Sequence, residues 1–155
     1  MPDKPSTRSH LRSVPRRDHT NAVLALRPSH APKLATVRWE DEVATIAVRG
    51  DLDREALWAI DYTVSRASIE AGRIVLDLKD VTHLDYQGVP ELVARRQEML
   101  ARGGDLLIAV RNPYVANILR VAGGPELQLF RSVEEASSAV ASAPAGRRAA
   151  AAKKG

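Results

Sequence analysis

Between Val43 and Ala141 the chain repeats one alternation: a short run of aliphatic residues, a longer stretch with apolar residues three and four apart, then a break. That order predicts strands alternating with helices. A strand–helix–strand passage returns to the same sheet as a right-handed crossover between parallel neighbours. The fold class expected is α/β: one small, mixed and mostly parallel sheet flanked by about four helices.

The individual elements follow from local chemistry. Val37 and Trp39 alternate with polar neighbours, Asp41-Glu42 turns the chain, and Val43, Ile46 and Val48 lead to Gly50, which reads as a β-hairpin at the antiparallel end of the sheet. Asp53 or Asp51 stands where an N-cap belongs, before a helix from about Arg54 to Ala71 with Ala56, Leu57, Ile60, Val64, Ala67 and Ile69 on its apolar face and Gly72 as its stop. Ile74–Leu78 reads as a strand buried on both faces. Lys79 to Gly88 reads as a turn-rich passage into a helix over about Val89–Arg102, with Pro90 in its first turn and Gly103-Gly104 behind it. Asp105–Val110 is a second buried strand. Asn112-Pro113 opens a helix to about Ala122, closed by Gly123-Gly124; Leu127–Phe130 is a brief strand, and Ser132 caps a last helix to about Ala141.

A chain of 155 residues has room for one domain of ordinary size. We divide it into a basic N-terminal segment, 1–33, a folded unit, 34–142, and an Ala-rich basic tail, 143–155. Pro2, Pro5, Pro15, Pro28 and Pro32 punctuate the first segment, which is expected to be mostly disordered, as is the tail. Ala22–Leu26 is its one apolar stretch, either an edge strand or a helical turn. Net charge divides the same way: +5 over residues 1–33, −5 over 34–140 and +4 over 141–155. Nucleic-acid-binding domains carry basic residues and stacking aromatics on the folded part. Here the body is acidic and aromatics make up 4% of the chain, so no direct nucleic-acid binding by the folded domain is expected. The tails are expected to add only weak, salt-sensitive contacts.

The chain has no cysteine, which excludes disulfides, thiolate catalysis, zinc ribbons and iron–sulfur clusters. No apolar run approaches the roughly 18–20 residues of a membrane-spanning helix, and the Arg-rich start is not followed by an apolar signal core. Membrane insertion is therefore not expected, and a cytoplasmic location is. Phosphate-binding glycine loops are missing, because the double glycines follow helices instead of preceding them. His83 is the one histidine of the body. Carboxylates gather at Asp51 and Asp53 and at Asp77, Asp80 and Asp85, which suits caps and turns better than acid–base chemistry when no nucleophile or base accompanies them. We expect no catalytic residue, metal or cofactor. The loop Thr82–Gly88 stands out because it leads onto a helix N-terminus, a favourable place for negative charge. A phosphorylated side chain there adds about −1.5 to −2 charge.

Gly50-Asp51-Leu52-Asp53, Ile74–Leu78, the loop Val81–Gly88, Gly103-Gly104-Asp105-Leu106 and Ser132-Val133-Glu134-Glu135-Ala136, in this order and spacing, resemble the STAS domain of anti-sigma factor antagonists over roughly residues 34–142. The resemblance implies a non-enzymatic protein that acts by binding an anti-sigma factor of kinase, ATPase-like fold in a partner-switching pathway. In that family the partner phosphorylates a Ser or Thr in an Asp-Ser-x-Gly-like loop. The unphosphorylated domain captures the partner, and the phosphorylated one lets go. Here the loop reads Asp85-Tyr86-Gln87-Gly88, so Tyr86 occupies the phosphoacceptor position, and a phenol does not fit a serine-kinase geometry. The implied partner-binding face comprises Asp51, Asp53, His83, Asp85, Tyr86, Gln87, Gly88, Asn112 and Tyr114. Tyr86 is either an exposed anchor or a half-buried residue packed on the second helix, and the Thr82 hydroxyl is read as a turn hydrogen-bonder. A second expectation follows from the same resemblance: STAS domains also form structural subunits of transport and lipid-trafficking assemblies, where no phosphoswitch is required.

Overall fold

Aliphatic runs that are buried on both sides favour a central parallel sheet, and this chain has two of them. The computed structural model describes residues 22–25 and 34–142. It runs β1 (Ala22–Ala25), β2 (Leu34–Glu40), β3 (Val43–Leu52), α1 (Arg54–Ala67), β4 (Arg73–Leu84), α2 (Val89–Ala101), β5 (Asp105–Ala109), α3 (Pro113–Gly123), β6 (Leu129–Phe130) and α4 (Val133–Ser142). Six strands form one sheet in chain order. β1, β2 and β3 pair antiparallel, and β3 to β6 pair parallel. The expected mixed sheet is therefore present, with Ala22–Ala25 forming an edge strand and not a helical turn. The remaining residues of the two terminal segments, whose mobility was expected, lie outside the described residues.

Helices α1, α2 and α3 cover one face. Leu57, Ile60, Leu92 and Leu119 close there over Ile46, Ile74, Leu76, Leu106 and Ile108. The other face of β4 and β5 packs Val75, Leu107 and Ala109 against Ala136 and Val140 of α4. Arg95 of α2 reaches Asp61 of α1 with two hydrogen bonds, 2.8 and 2.9 Å. Hydrogen bonding to Asp61 raises the Arg95 pKa above its already high ordinary value, against the opposing effect of burial. Ser132 caps α4 as expected: its hydroxyl accepts from the Glu135 amide at 3.1 Å, while the Glu135 carboxylate accepts from the Arg131 amide at 2.7 Å. This is a close variant of the reciprocal capping box.

Two sequence expectations are corrected. The passage Lys79–Leu84 is not a turn but the second half of β4. Its pairing with β3 steps from Asp77 to Asp80 opposite Ala47 to Arg49, and from Val81 to His83 opposite Gly50 to Asp51. Each step places one extra residue in β4, a bulge that breaks the period of two. Burial there recurs every third residue, at Leu78, Val81 and Leu84, with two exposed residues between each pair. Helix α1 also ends early, at Ala67. Ser68 caps it, its hydroxyl donating to the Ser65 carbonyl at 2.7 Å, and Ile69 is 70% exposed instead of lying on the buried face. Gly72 is no helix stop; its carbonyl accepts from the Asp105 amide at 3.2 Å and so joins the starts of β4 and β5. At the end of α2 the expected glycine stop does form: Gly103 lies at φ 85°, the Gly104 amide donates to the Met99 carbonyl at 2.8 Å and the Gly103 amide to Leu100 at 3.0 Å. That double closure is a Schellman motif, and its left-handed residue favours glycine.

Candidate functional site

When parallel strands lead into crossover helices, strand carboxyl ends and helix amino ends meet along one edge, where unpaired N–H groups and positive dipole ends collect. β3, β4 and β5 end there at Leu52, Leu84 and Ala109, and α1, α2 and α3 begin there at Arg54, Val89 and Pro113. Every residue of the expected binding face lies along this edge.

Three of them hold the local backbone. The Asp53 carboxylate accepts from the Ala56 amide at 2.8 Å and starts α1. Asp85 accepts from the Gln87 amide at 2.9 Å and heads the 3-10 turn Tyr86–Gly88. The Asn112 side chain accepts from the Tyr114 amide at 2.9 Å and starts α3. Asp51 accepts from the Thr82 hydroxyl, so that hydroxyl bridges β3 and β4. The bulge around Thr82 leaves Thr82 and His83 both exposed. His83 stacks on Tyr114, ring centroids 5.8 Å apart at 26°, with Nδ1 3.1 Å from the Tyr114 hydroxyl. This pair ties the end of β4 to the first turn of α3. Asp77, away from the edge, accepts from the Lys79 amide at 3.0 Å, which gives that carboxylate a backbone role.

Tyr86 projects from this frame. It is 63% exposed, so the half-buried packing on α2 is not what forms. Gly88, two residues on, is buried against α1: a Cβ there would lie 2.5 Å from Leu57 Cδ1 and 3.1 Å from Leu57 Cβ. Glycine is thus what lets the head of α2 close on α1. Gly88→Ala is expected to cost about 1–3 kcal/mol of stability by overpacking. In urea unfolding, adding Leu57→Ala should relieve part of that cost, and strict additivity of the two substitutions would show that the contact does not matter.

Trp58 and Tyr62, which no motif in the sequence singles out, are 69% and 66% exposed on the outer side of α1. Their offset from Leu57, Ile60 and Val64 on a helical wheel was the available signal. No helix among the described residues is long and apolar enough to cross a membrane.

The same fold occurs in solved structures. An anti-sigma factor antagonist from Mycobacterium paratuberculosis matches with a TM-score of 0.61 at 22% identity, over 69% of this chain and 92% of its own. The anti-sigma factor antagonist SpoIIAA in its unphosphorylated form matches at 0.58 and 23% identity, over 69% and 96% of the two chains. The Bacillus cell fate determinant SpoIIAA in its phosphorylated form matches at 0.53 and 23%, over 68% and 98%. At these identities the likeness is one of fold. Independently, the family model of the STAS domain matches residues 35–136, most of the described chain, and the protein therefore belongs to the STAS domain family.

Proposed function

We propose that this STAS domain is a non-enzymatic binding module, an anti-sigma factor antagonist-like regulator in a partner-switching pathway, whose partner is an anti-sigma factor of kinase, ATPase-like fold. The binding face is the carboxyl edge of the sheet: Asp51, Asp53, His83, Asp85, Tyr86, Gln87, Gly88, Asn112 and Tyr114. The observation that carries this reading is the presentation of Tyr86, an exposed aromatic on a short turn whose backbone is held by Asp85. A side chain displayed from a fixed backbone loses little further freedom on binding. Tyrosine is also among the residues that most often dominate an interface. A phenol oxygen stands farther from the backbone than a serine hydroxyl, so a serine-directed kinase site does not reach it. The consequence is a domain that stays in its binding form in the presence of ATP.

The test is titration calorimetry against a kinase-fold anti-sigma factor from the same genome. Tyr86→Ala is expected to weaken binding by about 2 kcal/mol or more, roughly thirtyfold in Kd. With ATP present the native chain should take up no phosphate, while Tyr86→Ser should be phosphorylated and released. The lost acceptor favours one other reading, a structural subunit of a transport or lipid-trafficking assembly. Failure to bind any such anti-sigma factor, together with co-purification of transporter subunits from the native host, would decide for that alternative.

A further inference from the structure

Helix α1 packs on the sheet through Ala56, Leu57, Ile60, Thr63, Val64 and Ala67. At 3.6 residues per turn the opposite side belongs to Trp58 and Tyr62. Both are well exposed, and Ile69, equally exposed, follows just past the end of the helix. Trp58 and Tyr62, one turn apart on one ordered helix, make a patch, unlike the scattered surface residues every protein carries.

The chemistry along this line is self-complementary. Trp58, Tyr62 and Arg66 are spaced four apart and form one ridge of the helix surface. Tyr62 sits midway, with the indole one step before it and the guanidinium one step after it. We propose that a second copy of this chain covers the ridge, α1 packing antiparallel on α1 about a two-fold axis through Tyr62. Four residues of helix rise about 6 Å, so the antiparallel copy sets Arg66 of each protomer over the Trp58 indole of the other, on either side of a central tyrosine pair. Arginine over tryptophan is the most favourable cation–π pairing, and it occurs twice here by symmetry. A parallel copy would instead place arginine on arginine.

The patch is small beside the roughly 800 Å² per partner of a standard stable interface. The dimer is accordingly a weak one, with a Kd of about 10–100 μM expected. Trp58, the end of the ridge nearer the cap Asp53, lies about one and a half helical turns from it and Tyr62 about two and a half, on the outer side of α1, so this surface comprises different residues from the binding edge and its occupancy does not depend on the function proposed above.

Sedimentation velocity of the full chain across that concentration range should show a reversible monomer–dimer equilibrium. Trp58→Ala and Arg66→Glu should each weaken it at least tenfold without changing the melting temperature. Because the native chain has no cysteine, single thiols report the geometry directly. With a short bismaleimide linker, Tyr62→Cys should cross-link to itself. Trp58→Cys should couple to Arg66→Cys in a mixture and not to itself. A monomer throughout the range, an association indifferent to Trp58→Ala, or self-coupling of Trp58→Cys would each overturn the proposal.

Discussion

Gly104→Ala is expected to lower stability by about 3 kcal/mol or more, at the upper end of what overpacking costs. A Cβ at this position would stand 2.1 Å from the Gly72 carbonyl oxygen and 3.2 Å from its carbon. Both are backbone atoms, so no side-chain rotation relieves the clash. Gly72 cannot retreat easily, because its carbonyl accepts from the Asp105 amide and leads straight into the Arg73–Asp105 pairing of β4 with β5. Nor can Gly104 move alone, since its amide closes the end of α2 on Met99. The neighbouring Gly103→Ala is the internal comparison. Its φ of 85° strains an alanine, at a cost of about 1 kcal/mol. Urea unfolding should therefore rank native above Gly103→Ala and that above Gly104→Ala. Equal midpoints for the two variants would show that the approach of the two strand starts relaxes freely.

Asp105→Ala should cost about 3 kcal/mol, for a different reason. Arg96 is a buried residue of α2 whose guanidinium meets the Asp105 carboxylate at 2.7 and 3.3 Å and also donates to the Glu126 carbonyl. Removing the carboxylate leaves a buried cation with a carbonyl as its remaining partner. Breaking a buried pair on one side costs about 3–5 kcal/mol, and the partial exposure of Asp105 places this case at the low end. The sharper expectation concerns the double variant. Adding Arg96→Met removes the orphaned charge while retaining much of its volume, so Asp105→Ala/Arg96→Met should be more stable than Asp105→Ala alone. A double variant that is less stable would mean that the guanidinium holds α2 through Glu126 even without Asp105.

The legible parts of the fold were those in which one residue does one local job. Asp53, Asn112 and Ser132 announce helix starts because short polar side chains bond amides two or three positions on. Ile74–Leu78 and Asp105–Val110 announce central strands because burial on both faces removes the need for polar alternation. The second half of β4 hid because its bulges are set by pairing with β3, a partner distant in sequence, and they convert alternation into a period of three. The end of α1 at Ala67 hid because the residues that follow it, Ser68 to Ala71, include neither glycine nor proline to break a helix. At the candidate site, the loop and its position at a helix start were readable. The stacking of His83 on Tyr114 was not, since it joins the ends of two elements separated by a whole crossover. The exposure of Trp58 and Tyr62 was equally obscure, because aromatic residues suit a core and an interface alike.

Along the carboxyl edge, folding and display are assigned to different side chains. Asp53, Asp85 and Asn112 turn inward to their own backbones, and Gly88 admits Leu57, whereas Tyr86 and Gln87 face water. Under the proposed function, exchange of the displayed pair would alter what the edge recognises while every cap and close approach beneath it survives. A binding module built this way would be retargeted by point substitution at two adjacent codons, with no compensating change in the sheet.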